Sequence, residues 1–122
     1  MKIFLDTNFI VYAAEKKIDF IEELDNLISN HHNLVLASSV LEELEKLAKK
    51  KSKSGISAEI AKKIIKNNKN KFKIIKTSLI PDNFIIKEIK PGDFIASMDR
   101  RLLEKIRNKK ISISKNKKLR IS

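Results

Sequence analysis

Four carboxylates in this chain stand where strand gives way to helix or within the first turns of a helix: Asp6, Glu43, Asp82 and Asp99. In a doubly wound sheet such places can converge on one crevice at the C-terminal edge of the strands. Four anions gathered there repel one another and each loses hydration, so the cluster persists only if it is protonated or neutralised by cations. Hard oxygen donors select Mg²⁺ or Mn²⁺. A pair of such ions about 4 Å apart positions a water, helps to ionise it and stabilises charge on a phosphodiester during in-line displacement. Rival chemistries lack residues: the absence of cysteine excludes thiolate zinc sites, cysteine nucleophiles and disulfides, and His31 and His32 alone exclude a histidine-rich metal site. With Gly55 and Gly92 the only glycines, no glycine-rich phosphate loop exists. A lone acid at a strand end is equally well a helix cap, and it is recurrence in equivalent places that favours chemistry.

The elements that must position these acids follow from the apolar pattern. Lys2-Ile3-Phe4-Leu5 reads as a buried strand delivering Asp6 to its end, with Thr7 and Asn8 capping a helix that contains Phe9 to Ala13. Ile21, Leu24 and Ile28, with Phe20 and Leu27 beside them, give a helical face within 18–28. Leu34 to Ala37 is a second strand, and Ser38 or Ser39 is then the N-cap of a helix over Val40 to Leu47. Lys51 to Gly55 reads as an exposed basic loop, followed by a helix whose inward face carries Ile56, Ile60, Ala61, Ile64 and Ile65. Phe72 to Lys76 is a third strand with one side less buried, and Pro81 precedes a helix that starts near Asp82 and ends before Pro91-Gly92. Asp93 to Met98 forms a fourth strand running into a helix from Asp99 to Ile106; Lys110 to Ile113 and Leu119 to Ile121 complete the strands. Strands alternating with helices imply a parallel sheet with right-handed crossovers.

At 122 residues the chain is expected to form a single domain over 1–122. Its 42% hydrophobic and 34% charged residues exclude a disordered tail, and no apolar run approaches the roughly 20 residues of a membrane span. Asp6 interrupts the first apolar run too early for a secretion signal, so a cytoplasmic location is expected. A net charge of +12 points to a polyanionic partner, nucleic acid first, with a lysine-rich compositional bias as the plain alternative. Distribution separates the two better than the total. Carboxylates dominate between Glu15 and Glu45, whereas Lys49 to Lys53, Lys62 to Lys76 and Arg100 to Arg120 are basic.

Taken in order, Leu5-Asp6-Thr7-Asn8, Glu43-Leu44-Glu45-Lys46-Leu47, Asp82 before Asn83-Phe84-Ile85, and Phe94-Ile95-Ala96-Ser97-Met98-Asp99 before a helix resemble the PIN domain across nearly the whole chain. The resemblance implies a three-layer α/β/α sandwich around a parallel sheet of about five strands. It also implies a metal-dependent endoribonuclease using Mg²⁺ or Mn²⁺, with Asp6, Glu43, Asp82 and Asp99 as catalytic and metal-holding acids and Asn8 and Ser97 as polar supports. Small PIN proteins related to ribosomal-RNA processing nucleases come first, and toxin ribonucleases of the VapC type second. RNA, single-stranded or structured and ribosomal, is the implied substrate; a homodimer, and for a toxin an antitoxin, are the protein partners, with no membrane. Two departures stand out: Ser97-Met98-Asp99 lies where the family usually reads Thr-Asn-Asp, and Asn83 lies where relatives can carry a further acid.

Several assignments have alternatives. Glu42 could replace Glu43, but adjacent helix positions point about 100° apart and only one can face the crevice. Asp93 caps the preceding turn or faces solvent, and Glu15 and Glu59 read as solvated. Lys49, Lys50, Lys51, Lys53, Arg100 and Arg101 are the candidate RNA-binding cations, against a solvated face. Two rival functions are an inactive PIN fold that only binds RNA or protein, and a small-molecule or phosphotransfer domain of the same topology.

Overall fold

A computed structural model describes residues 1–122. The chain runs β1 (Lys2–Leu5), α1 (Thr7–Glu15), α2 (Phe20–Leu27), β2 (Asn33–Ala37), α3 (Ser38–Ala48), α4 (Lys53–Asn67), a 3-10 turn (Lys69–Lys71), β3 (Phe72–Ile75), α5 (Pro81–Glu88), β4 (Phe94–Ala96), α6 (Arg100–Glu104), β5 (Lys109–Ile113) and β6 (Leu119–Ile121). The sheet has the order β3-β2-β1-β4-β5-β6. Its first five strands are parallel, with Phe4 opposite Val35 on one side and Ile95 on the other. Ile3, Phe4 and Leu5 are all fully buried. Because successive strand residues face opposite ways, both faces of the sheet are covered. Phe84 of α5 meets Phe4 on the central strand, with ring centroids 6.1 Å apart. One contiguous core joins strands and helices. No helix is long and apolar enough to cross a membrane.

The five parallel strands are those expected, and Leu119–Ile121 adds a sixth that returns antiparallel against β5. Asp6, not Thr7 or Asn8, is the N-cap of α1, its carboxylate accepting from the Thr7 amide. Neither Ser38 nor Ser39 caps α3, which starts directly from Ala37. The Ser38 hydroxyl is drawn instead to Thr77, accepting from its amide and donating to its carbonyl. The basic loop is shorter than expected: Ser52 caps α4, so Lys53, Ser54 and Gly55 form its first turn.

The largest departure concerns the face of α4. Gly55, Ser57, Ala58, Ala61 and Ile65 turn inward, while Ile56 is 66% and Ile60 43% exposed. The small residues win because α4 approaches α3 closely. A Cβ on Gly55 would stand 2.0 Å from the Lys50 carbonyl oxygen and 2.9 Å from that of Leu47. Gly→Ala in a helix ordinarily stabilises by about 1 kcal/mol. Here Gly55→Ala should instead destabilise by about 1–3 kcal/mol, because backbone atoms must shift; a denaturant midpoint at or above that of the wild type would show that the two helices are not in this contact.

Candidate active site

The sheet reverses its order between β1 and β4: the chain leaves β1 for β2 and β3 on one side, then returns to place β4 on the other. The crevice beyond the ends of these two strands is where open α/β sheets bind ligands. Asp6 leaves the end of β1, and its amide donates to the Ala96 carbonyl of β4 at 2.9 Å. Only 4% of Asp6 is exposed. One carboxylate oxygen accepts from the Thr7 amide at 2.9 Å and the other from the Ser97 hydroxyl at 2.8 Å. The Ser97 oxygen in turn accepts from the Asp99 amide at 3.0 Å. Asn8 completes the tie between the two turns, its Oδ1 accepting from the Met98 amide at 2.9 Å.

The other acids arrive from separate helices. Glu43 lies on α3, one turn beyond Ser39, and its Oε1 accepts from the Thr7 hydroxyl at 2.5 Å. Asp82 sits in the first turn of α5. Asp99 caps α6, with Oδ1 accepting from the amides of Arg101 at 3.0 Å and Leu102 at 3.3 Å. All four line one cavity of about 430 Å³ together with Asn8. Glu42, the alternative to Glu43, is exposed and does not line it. Asp93 is buried at the opposite end of β4, where it accepts from the amides of Lys90 and Lys2 and so caps the preceding turn. A larger hollow, about 650 Å³ between α2 and α4, lies elsewhere. Convergence of donors, not volume, identifies the candidate site.

Burial pushes the Asp6 carboxyl up to about 6; the Ser97 and Thr7 hydrogen bonds oppose this, and the charges of Asp82 and Glu43 reinforce it. Asp82 is also raised, by burial and then by Asp99, with Lys105 opposing. None of the four acids forms an ion pair with a cation of the chain. The donor set is therefore all hard oxygen with uncompensated charge, which fits Mg²⁺ or Mn²⁺. No group of three or more His, Asp or Glu side chains is gathered closely enough to form a ready-made metal cage. Mg²⁺ commonly uses one or two carboxylates and keeps several waters.

The candidate RNA-binding cations fall in two groups. Lys49, Lys50, Lys51 and Lys53 are exposed around the α3–α4 connection, and Arg100 and Arg101 are exposed in the first turn of α6, directly after Asp99. Lys53 is paired with Glu15 at 3.2 Å. Glu15, expected to be solvated, is half-buried and lines the acidic cavity. Thr7 and Leu47, named from the sequence only as a cap and as motif neighbours, also border the site, as do Tyr12 and Ser54, which the sequence did not mark as site residues. A usable signal existed: Asn8, Val11, Tyr12 and Glu15 are spaced three, four and seven apart, one face of α1.

A family profile described as a PIN-like domain matches residues 3–118, and the chain belongs to that family. Ribonuclease VapC4 of Methanocaldococcus jannaschii is 30% identical over 118 residues, covering 92% of this chain and 87% of that protein. The backbone is similar to that of the PIN domain endonuclease Utp24, with a TM-score of 0.79 and 26% identity over 99% of this chain and 90% of that one. VapBC2 from Rickettsia felis, solved with a DNA fragment from its promoter, has a TM-score of 0.57 at 17% identity, over 93% of this chain and all of that one; this is a likeness of fold alone.

The position of Asp6 makes stability depend on pH. Its folded pKa, about 6, lies above its ordinary value of 3.8. The folded state therefore binds the proton more tightly, and stability falls as pH rises through that window. The Asp6 share is about 3 kcal/mol. In divalent-free buffer the stability of Asp6→Asn relative to wild type should rise by that order between pH 4 and 7; a difference constant with pH, followed by chemical denaturation, would contradict the burial of this charge.

Proposed function

We propose that the chain is a metal-dependent endoribonuclease in which Asp6, Glu43, Asp82 and Asp99 hold Mg²⁺ or Mn²⁺ and carry the catalytic chemistry. The observation that supports this best is the set of four carboxylates from four elements lining one cavity at the switch of the sheet, with no cation of the chain among them. Similarity to a protein named a ribonuclease and to one titled a PIN domain endonuclease supports the same reading. The bound cations would supply an activated water and stabilise charge on the phosphodiester.

The chain's own residues provide order. Asp6 has both carboxylate oxygens committed, to Thr7 and Ser97, and cannot swing away. Thr7 also fixes Glu43, so one residue orients two of the acids. Asp99 spends one oxygen on capping α6 and keeps the other free of partners in the chain. Asn8 and Ser97 support the β4–α6 turn, and Lys49, Lys50, Lys51, Lys53, Arg100 and Arg101 hold RNA phosphates around the acidic cavity. An inactive binder of polyanions would gain nothing from an anionic crevice. In this reading residues 1–122 are one domain acting in the cytoplasm, and the RNA is ribosomal RNA undergoing processing. A second reading, a toxin held by an antitoxin, is supported by the similarity to VapC4 and by the exposed Ile56 and Ile60, an apolar strip that a protein partner would cover. A homodimer is compatible with both.

Asp6→Asn and Asp99→Asn should each abolish Mg²⁺- or Mn²⁺-dependent cleavage of single-stranded RNA while leaving the protein folded. Undiminished cleavage by highly purified Asp6→Asn protein would sink the assignment. For the binding step, RNA affinity should fall with salt at a slope of about 0.7 per phosphate neutralised on a single strand. Replacing Lys49, Lys50, Lys51 and Lys53 together with neutral residues should flatten that slope while turnover of bound RNA changes little. Identical slopes for wild type and the lysine variant would remove these residues from the RNA path.

A further inference from the structure

The acidic cavity has a second, apolar lining. Val11 and Tyr12 on α1 and Leu47 on α3, one turn beyond Glu43, border the same hollow as the carboxylates. The core face of α1 is already filled by Phe9, Ile10, Ala13 and Ala14. Tyr12 is half-buried, packed against the edge of the core and bordering the hollow. Of the chain's other aromatics, Phe4, Phe9, Phe20, Phe72 and Phe84 are buried in the core, and Phe94 lies beside the hollow at the far end of β4. Tyr12 is thus the one aromatic ring presented to the cavity.

Two lysines lie near this ring. The Lys16 ammonium stands over its face, 5.4 Å from the centroid, a contact weak enough at an exposed site to give way to a base and a phosphate. Lys53 is paired with Glu15, one turn beyond Tyr12, but its side chain is 79% exposed. Such an exposed pair is weak and screened by salt, so Lys53 can exchange the Glu15 carboxylate for a phosphate at little cost. A hollow of about 430 Å³ lies in the range of small-ligand sites, with room for a nucleotide.

We propose that the Tyr12 side of the cavity is a nucleotide subsite: a base next to the scissile phosphate stacks on the Tyr12 ring against Val11 and Leu47, with Lys16 and Lys53 taking the flanking phosphates. The subsite rests on the ribonuclease reading and narrows its substrate. A base stacked within a helix cannot offer its face to a side chain, so the cleaved position must be unpaired and splayed out. Every base has a π-face, so selection is for an unpaired nucleotide more than for its identity.

The test uses the full chain and short single-stranded RNAs carrying an abasic residue, or 2-aminopurine, at each position in turn. Loss of one stacked base lowers kcat/KM by about ten- to a hundredfold. Tyr12→Leu should show that loss on unmodified RNA and Tyr12→Phe should not. One abasic position next to the cleaved bond should cost wild type the same factor and cost Tyr12→Leu nothing further. Wild-type kcat/KM in Tyr12→Leu, or losses that multiply when the variant meets the abasic RNA, would overturn the subsite and leave the nuclease reading standing. Binding separates the converse case. In EDTA at low salt, one 2-aminopurine position should be quenched on wild type and Tyr12→Phe but not on Tyr12→Leu. That pattern without any cleavage would keep the subsite and remove the nuclease; equal quenching on all three proteins overturns the subsite, and absence of RNA binding overturns both.

Discussion

Pairing of β1 with β4 is the constraint on which the site depends. The two strands are adjacent in the sheet although β2 and β3 intervene in the chain. Their register leaves Asp6 and Ser97, 91 residues apart in sequence, close enough for a buried hydrogen bond at the end of both strands. From that point the other ties follow: Thr7 reaches Glu43, Asn8 reaches the Met98 amide, and the Ser97 oxygen receives the Asp99 amide. Without the β1–β4 register the acids would be four separate residues on four elements. With it, each lines the same cavity.

Charge is what this arrangement costs. Asp19 shows that an aspartate can cap a helix from an exposed position, since it accepts from the Glu22 amide at the start of α2 while facing solvent. Capping therefore does not require burying Asp6 among Asp82 and Glu43. The resulting penalty of about 3 kcal/mol at neutral pH is a large part of the 5–15 kcal/mol that holds a typical domain folded. That figure is what is left after hydrogen bonds from Thr7 and Ser97 have offset part of the cost of burial, and the contiguous apolar core supplies the stability that tolerates it. A penalty of this kind, concentrated at a sheet's switch point, is more economically explained by chemistry than by folding.

Much of this was legible in the residues. Acids that end apolar runs, as Asp6 and Asp99 do, mark strand termini because the polar break is abrupt and the strands are buried on both faces. Helical geometry allowed only one of Glu42 and Glu43 to face the crevice without saying which, and it is Glu43 that lines the cavity. What failed depended on distances between elements. Isoleucines at four-residue spacing on α4 outweigh alanines in any hydrophobicity pattern, yet α4 turns Gly55, Ser57, Ala58 and Ala61 inward, and at Gly55 the approach to α3 leaves no room for a Cβ. Ser38 looks like a cap until Thr77, far along the chain, takes its hydroxyl. Glu15 looks solvated because its partner Lys53 belongs to another helix, and the cavity stripe on α1 was masked by the stronger apolar stripe beside it.

Binding and cutting place opposite demands on charge, and the fold separates them in space. The net charge of +12 draws a polyanion toward the whole surface, but exposed charges are screened beyond about 8–10 Å at physiological salt. At the range that matters for a phosphate at the cavity, the near carboxylates dominate and repel it. In the proposed function divalent cations reverse that local sign, so RNA already held by the lysines and the apolar side of the cavity brings its scissile phosphate onto the acids only when the ions needed for hydrolysis are present. The raised pKa of Asp6 acts in the same direction: the proton that neutralises it below about pH 6 is also the proton a metal must displace. In that reading proton, metal and phosphate compete or cooperate through one set of oxygens, which would account for an acidic cavity within a strongly basic protein without assigning either charge to composition alone.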